Sequence, residues 1–386
     1  MDIKFSDNLK HFQAGIFNIL DDKKKELIAK GKKVYNLSVG TPDFEPDKHV
    51  VDALVRSASN PKEWVYSLGD LDELLEAVVD YYKERFNVTI NKNQVTSVYG
   101  SQEGLAHIGL SLCNRGDKVL VPNPGYPIFE IGPFLAGADL IYYDLLPENN
   151  YLPDLNSIDR EVLKDVKFMI ISYPMNPVCK AAPSEFYDKI IQFAKENNII
   201  IVHDNAYADI IYDGRQGNSI LAHEGGNEVA VEFYSMSKSF NMTGSRISFL
   251  IGNEEIIKSF KTLRSQIDYG IFIPVQKAAI AALKGPKDSL EIHRKEYENR
   301  RNALCGGLRR VGIEIEDSEG SMFAWAKIPK EYKTSSEFCI DLLEKTGVIC
   351  TPGSAFGTLG EGYVRFALVL PVDKIEEAIK QIELNM

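Results

Sequence analysis

The sequence predicts an α/β protein with a mostly parallel, seven-stranded sheet in a large domain and a smaller α+β domain beside it. Two observations carry that prediction. The middle of the 386-residue chain alternates short apolar runs with longer stretches of helical period, and after Gly285-Pro286 this rhythm changes. Continuous apolar runs of strand length mark strands covered on both faces, as in parallel sheets. Strands alternating with helices are the pattern of crossover-connected parallel strands.

Residues 1–49 hold one long polar helix and nothing that fits the sheet rhythm. The first sheet strand is expected at Gln94–Tyr99, rich in β-branched residues and closed by Gly100, with a helix at Glu103–Cys113 after it. Apolar runs then predict strands at Lys118–Pro122, Asp139–Tyr143, Lys167–Tyr173, Ile199–His203, Val229–Tyr234 and Ile247–Gly252, with a helix at Pro183–Asn197. Asp288–Arg310 reads as one long, charge-laced helix leading out of the large domain. Beyond it come a strand at Phe323–Ile328, a helix near Ser335–Thr346, strands at Gly347–Thr351 and Tyr363–Val369, and a final helix from Val372. The expected division is therefore a large domain over 50–286, and a small domain built from 1–49 together with 287–386.

A net charge of −11 disfavours broad contact with nucleic acid or anionic membranes. The five cysteines (Cys113, Cys179, Cys305, Cys339, Cys350) are scattered, with no CxxC pair, so neither a disulfide framework nor a metal site is expected. The amino-terminal stretch lacks the apolar core of a signal peptide, and runs such as Asn198–Val202 are too short to span a bilayer. The expectation is a soluble, cytoplasmic protein.

The most specific stretch is Ser235-Met-Ser-Lys-Ser-Phe-Asn-Met-Thr-Gly-Ser-Arg246, which lies between two predicted strands and puts Lys238 in a connection at the edge of the sheet. A lysine between serines is most often an exposed loop residue. Here Ser235 and Ser237 offer hydroxyls, Gly244 permits a tight backbone, and Arg246 offers a fork of donors suited to a phosphate. The strand Ile199–His203 runs into Asp204 and Tyr207, and ligands of α/β sheets bind beyond the carboxyl ends of strands. Asp204 suits a pyridinium nitrogen, although a strand-end Asp also serves as a helix N-cap. Asn176, after Lys167–Tyr173, can donate to a phenolic oxygen. Gly100-Ser101-Gln102 opens a helix whose first amides form an anion site, and Tyr126 in Pro124-Gly-Tyr-Pro can stack on a flat ring. His107 reads as a packed histidine, His203 points away from Asp204 by strand alternation, and nothing visible activates Cys179.

Together these residues resemble the fold type I pyridoxal-phosphate enzymes, specifically the class I and II aminotransferases, over nearly the whole chain. Tyr35-Asn-Leu-Ser-Val-Gly40 looks like that family's approach to the active site, with Gly40 lining the substrate. Trp64-Val-Tyr66 resembles the segment whose tyrosine reaches the phosphate of the neighbouring subunit, and Tyr363-Val-Arg365 the one whose arginine binds the substrate α-carboxylate. The resemblance implies pyridoxal 5′-phosphate held as a Schiff base (an aldimine) on Lys238. It implies Asp204 on the ring nitrogen, Asn176 and Tyr207 on the ring oxygen, Tyr126 on the ring face, and Ser101, Gln102, Ser235, Ser237 and Arg246 on the phosphate. It also implies a homodimer in which Tyr66 and Tyr269 reach the partner's site, with an L-amino acid donor and a 2-oxo acid acceptor in a ping-pong cycle.

Val121-Pro-Asn-Pro-Gly-Tyr-Pro and Ile267-Asp-Tyr-Gly-Ile-Phe are most similar to LL-diaminopimelate aminotransferases and their unassigned relatives. The chain departs from them at Asn176-Pro-Val-Cys179, at Met242-Thr-Gly-Ser-Arg246, and at Gly15-Ile16-Phe17, where those enzymes tend to carry Tyr-Leu-Phe. The cofactor machinery is thus expected intact and the side-chain pocket changed. A carbon–sulfur β-lyase on the same fold is an alternative. A ligand-sensing domain is disfavoured, since no basic DNA-binding domain precedes the catalytic pattern.

Overall fold

The computed structural model describes residues 1, 3–12 and 15–386, with the side chains of 15–18 left out of the description. The departure at Gly15-Ile16-Phe17 therefore falls outside the described side chains. The chain forms two compact units, one of residues 41–298 with 318–322, the other of residues 1–40, 299–317 and 323–386. In chain order the strands are β1 (Tyr35–Asn36), β2 (Val95–Val98), β3 (Lys118–Asn123), β4 (Asp139–Asp144), β5 (Val166–Ser172), β6 (Ile200–Asp204), β7 (Ala230–Ser235), β8 (Ser248–Gly252), β9 (Phe323–Lys327), β10 (Val348–Ile349), β11 (Thr351–Pro352) and β12 (Tyr363–Ala367).

The larger unit is built on a seven-stranded sheet of order β2-β8-β7-β6-β5-β3-β4. All neighbouring pairs are parallel except those of β8, which runs antiparallel to both β2 and β7. The seven expected strands and the mostly parallel pairing are thus observed. Alternate residues Val119, Val121, Phe168, Ile170, Val202, Val231, Phe233 and Leu250 form one buried face. It is covered by the helices Ser101–Leu112, Ile128–Leu135 and Glu254–Arg264 through Leu105, Ile108, Phe129, Ile257 and Phe260. Each such side chain removed from water contributes roughly 1.5–3 kcal/mol. The opposite face is buried too, which is why the strands read as unbroken apolar runs.

That opposite face holds a polar cluster. Glu232 of β7 accepts from the Tyr82 hydroxyl at 2.7 Å and the Ser219 hydroxyl at 2.8 Å, and its Oε2 lies 3.2 Å from His203 Nδ1. The other ring nitrogen of His203 lies 3.3 Å from the Tyr173 carbonyl. Burial and the Glu232 charge hold the Tyr82 hydroxyl well above its usual pKa, so it remains a donor.

The smaller unit differs from expectation in two places. The amino-terminal segment does contribute a strand, since β1 pairs in parallel with β10. The stretch expected as one strand at Gly347–Thr351 is divided at Cys350, because β10 pairs with β1 whereas β11 pairs antiparallel with β12. β12 in turn pairs with β9, giving the order β11-β12-β9.

Candidate active site

Sheet register brings the candidate residues of the larger unit to one edge. Ser172 of β5 pairs with Asp204 of β6, and Asp204 with Phe233 of β7. Ser235 pairs with Ser248, which pairs with Val98. The carboxyl ends of β5, β6, β7 and β2 therefore lie on the same edge as the amino end of β8. Onto this edge open the turn at 173–176, the turn at 205–209, the Lys238 segment, Gly100–Gln102 and Arg246. Ligands of such sheets bind at this end of the strands.

Within the connection between β7 and β8, Lys238 sits in a short helix, Met236–Ser239, that follows an interior strand of the sheet. The Ser235 hydroxyl caps the helix by accepting from the Ser237 amide at 3.3 Å, and Ser248 Oγ lies 3.3 Å from it. The Lys238 ammonium stands 5.9 Å from the centre of the Tyr207 ring.

Asp204 ends β6 and is followed by a turn rather than a helix, so the N-cap alternative does not arise. Its carboxyl is buried, and Oδ1 has no hydrogen-bond partner. Burial raises its pKa from 3.8 to about 6, opposed by His203, the Ala206 amide and Lys238. An unpartnered, desolvated carboxylate is costly. A cationic N–H placed against it would relieve that cost.

An anion site is built on the same sheet edge, beyond the ends of β2 and β8. The helix Ser101–Leu112 presents its first amides, and the Ser101 hydroxyl is buried with no partner. Arg246 is fixed by donation from Nη1 to the Thr243 carbonyl at 3.0 Å, with Nη2 3.5 Å from the Tyr99 carbonyl. Gly100 has φ +87° and ψ 151°, a conformation essentially reserved for glycine, and a Cβ there would collide with the Arg246 guanidinium. Tyr126 OH lies 3.5 Å from Gln102 Oε1, and Asn176 is buried. A partnerless acid at one end and a partnerless hydroxyl, helix amides and a guanidinium at the other fit a flat ring carrying a protonated nitrogen and a phosphate.

Tyr66 and Tyr269 are exposed, their rings 5.5 Å apart and edge-on. The two loops carrying them are joined by the fully buried Gln276, whose Nε2 donates to Ser67 Oγ and the Ile271 carbonyl, while its Oε1 accepts from the Leu71 amide. Trp64, Val65, Leu68 and Ile267 are also exposed. Sequence reasoning missed Gln276, whose partners are up to 209 residues away. It also missed Asp209, which is buried and paired with Arg85.

In the smaller unit, Arg365 of β12 is buried, its guanidinium 4.0 Å from the Phe323 ring centre and 4.6 Å from that of Phe356. Nη2 donates to the Ser38 carbonyl at 3.0 Å. Gly40 lies so close to the Phe323 ring that a Cβ would overlap it. Held between two aromatic faces, the guanidinium plane has one orientation in which to meet a carboxylate. Among the described residues no cluster of ligating side chains could hold a metal ion, and no helix is long and apolar enough to cross a membrane.

Residues 32–382 match the family model for aminotransferase class I and II. The LL-diaminopimelate aminotransferase of Aquifex aeolicus is 41% identical over 98% of each chain, and that of Dehalococcoides mccartyi 37% over 98% of each. Among solved structures, apo-BacF from Bacillus subtilis has a TM-score of 0.96 at 36% identity, covering 100% of this chain and 99% of its own.

Proposed function

The chain belongs to the class I and II aminotransferases, and from that membership we propose which of its residues carry the transamination and what they act on. It is a transaminase, and its family works with pyridoxal 5′-phosphate. The β-lyase alternative gains no support from the family or from the named relatives. The observation that carries the residue assignment is the buried Asp204 carboxylate with an unpartnered oxygen, on the same sheet edge as Lys238 and the Arg246 anion site.

When bound, pyridoxal phosphate supplies an aldehyde that condenses with amines and a ring that draws electrons from the substrate Cα. Lys238 Nζ would hold the cofactor between turnovers and, once released from it, would take up and pass on the substrate Cα proton. Asp204 keeps a proton on the ring nitrogen by opposing its charge. Asn176 and Tyr207 donate to the ring oxygen, and Tyr126 stacks on the ring. Ser101, Gln102, Ser237 and Arg246 hold the phosphate. Ser235 joins them through a hydroxyl that also caps the Lys238 helix.

Arg365 grips the α-carboxylate with its planar fork, beside Gly40. On this reading the larger unit is the cofactor-binding domain and the smaller carries the carboxylate site. Tyr66 and Tyr269 reach into a partner subunit's site, so a homodimer is the working unit; the exposed apolar side chains around them favour this. The substrates are an L-amino acid and a 2-oxo acid, in a cytoplasmic enzyme with no nucleic-acid partner.

The test is an amino-donor screen of the cofactor-loaded protein against 2-oxoglutarate and pyruvate. Transfer from at least one L-amino acid, dependent on the acceptor, is expected. Pyruvate and ammonia released from cystathionine with no acceptor present, and no transfer from any donor, would overturn the reading.

A further inference from the structure

Asp209 lies five residues beyond Asp204 and has the opposite surroundings. Its side chain is buried, and Arg85 Nε donates to Oδ1 at 2.9 Å. Oδ2 accepts from the Tyr234 hydroxyl and from the Ser239 hydroxyl, each at 2.6 Å. The Tyr81 hydroxyl lies 2.8 Å from that of Tyr234 and 3.5 Å from Oδ2. Burial, and next the Asp209 charge, hold the Tyr234 and Tyr81 hydroxyls well above the usual tyrosine range. Both keep their protons, and a chain of donors runs from Tyr81 through Tyr234 to the carboxylate.

A core carboxylate with this many donors could serve stability alone. Two features point further. The first is where the donors come from. Ser239 is the chain neighbour of Lys238, Tyr234 is the next-to-last residue of the strand that leads into the Lys238 helix, and Asp209 stands two residues after Tyr207. The second is the length of that helix. Four residues cannot hold a helix by backbone bonds alone, because nucleation costs more than so few bonds return. Its first turn is capped by Ser235 and its last residue is tied to Asp209. The orientation of Lys238 is therefore set by side-chain bonds at its two ends.

We propose that Asp209 is a positioning residue that holds the Lys238 helix and the Tyr207 turn at a fixed separation, acting on the lysine through the Ser239 hydroxyl. Arg85 balances the charge from the side of helix Asp72–Phe86, so the clamp joins three separate elements. The inference rests on Lys238 being the cofactor lysine. Asp209 itself touches neither substrate nor cofactor.

The test compares three variants of the holoenzyme. Asp209→Asn keeps the shape but presents an amide where Arg85 and two hydroxyls need an acceptor. Ser239→Ala removes the hydroxyl that links Asp209 to the lysine helix and leaves the carboxylate paired with Arg85 and Tyr234. Tyr81→Phe weakens the same cluster at its far end. Each is read by the pH midpoint of the visible absorbance of the cofactor-loaded protein, by kcat and KM separately, and by urea unfolding of the cofactor-free protein.

Ser239→Ala and Asp209→Asn are expected to move the absorbance midpoint in the same direction. They should lower kcat roughly ten- to a hundredfold with KM nearly unchanged, the scale that small misplacements of reacting groups produce. Tyr81→Phe should lower only the unfolding midpoint. If Ser239→Ala leaves the absorbance midpoint and kcat as in the parent, the proposal is overturned, whether or not Asp209→Asn folds. A Lys238→Ala protein that kept the visible band would instead overturn the lysine assignment, so the two failures are distinguishable.

Discussion

Replacing Asp204 by Asn should stabilise the cofactor-free protein at neutral pH and leave it nearly unchanged in acid. In the folded chain burial raises this carboxyl from 3.8 to about 6. The folded state thus holds the proton more tightly than the unfolded state, and the resulting stability is present in full below 3.8 and lost as pH rises through about 6. At ~1.36 kcal/mol per unit, the native-state burden is about 1.6 kcal/mol near pH 5 and about 3 kcal/mol near pH 7.5. Asparagine has nearly the same shape and carries no charge at either pH, so it removes the burden without opening a cavity. Urea unfolding of the cofactor-stripped proteins at both pH values measures the difference. The variant's advantage should roughly double between them and then level off. An advantage that does not change with pH would show that Asp204 is not the burdened group. A variant less stable than the parent near pH 7.5 would show that the carboxylate is already compensated. The same burden carries a functional consequence: a cation on the ring nitrogen relieves it, so cofactor should stabilise the parent more than the variant, and kcat of the loaded variant should fall sharply.

Lys238→Ala should abolish the visible absorbance of the cofactor-loaded protein and turnover with every donor, and full activity would refute the assignment. Gly100→Ala places a Cβ against Arg246 in a backbone conformation that costs about 1–3 kcal/mol. Titration of the stripped protein should show cofactor affinity reduced roughly ten- to a hundredfold. LL-diaminopimelate should be a poor donor, because Gly15 cannot supply the ring and hydroxyl of the tyrosine that enzymes of that kind tend to carry, and an unmatched polar end costs orders of magnitude in selectivity. Comparing kcat/KM for LL-diaminopimelate with that for glutamate, aspartate, alanine, methionine and aromatic donors checks this, and a clear preference for LL-diaminopimelate would refute it.

The parts of the site that were legible are those placed by the local chain. An unbroken apolar run bounded by polar residues is a buried strand reaching the edge of its sheet; Asp204 and Lys238 lie at or just past the carboxyl ends of such runs, and Arg246 just before the amino end of one. Two-residue strands are another matter. No period can show in Tyr35–Asn36, and a single apolar run cannot reveal that β10 and β11 turn to different partners around Cys350. Asp204 and Asp209 make the limit plain. They lie in one short stretch, Asp-Asn-Ala-Tyr-Ala-Asp, and nothing in its composition says which acid faces a ligand. The answer lies in donors 25 to 128 residues away that converge on Asp209, while Asp204 Oδ1 has none. Asp209 is spent on holding the frame and has no oxygen to offer. Asp204 keeps one oxygen unpaired in a buried place, at a cost that a cation set against it would relieve. Counting donors around each acid, rather than reading the motif that contains both, is what separates the group that can act on a ligand from the group that holds it in position.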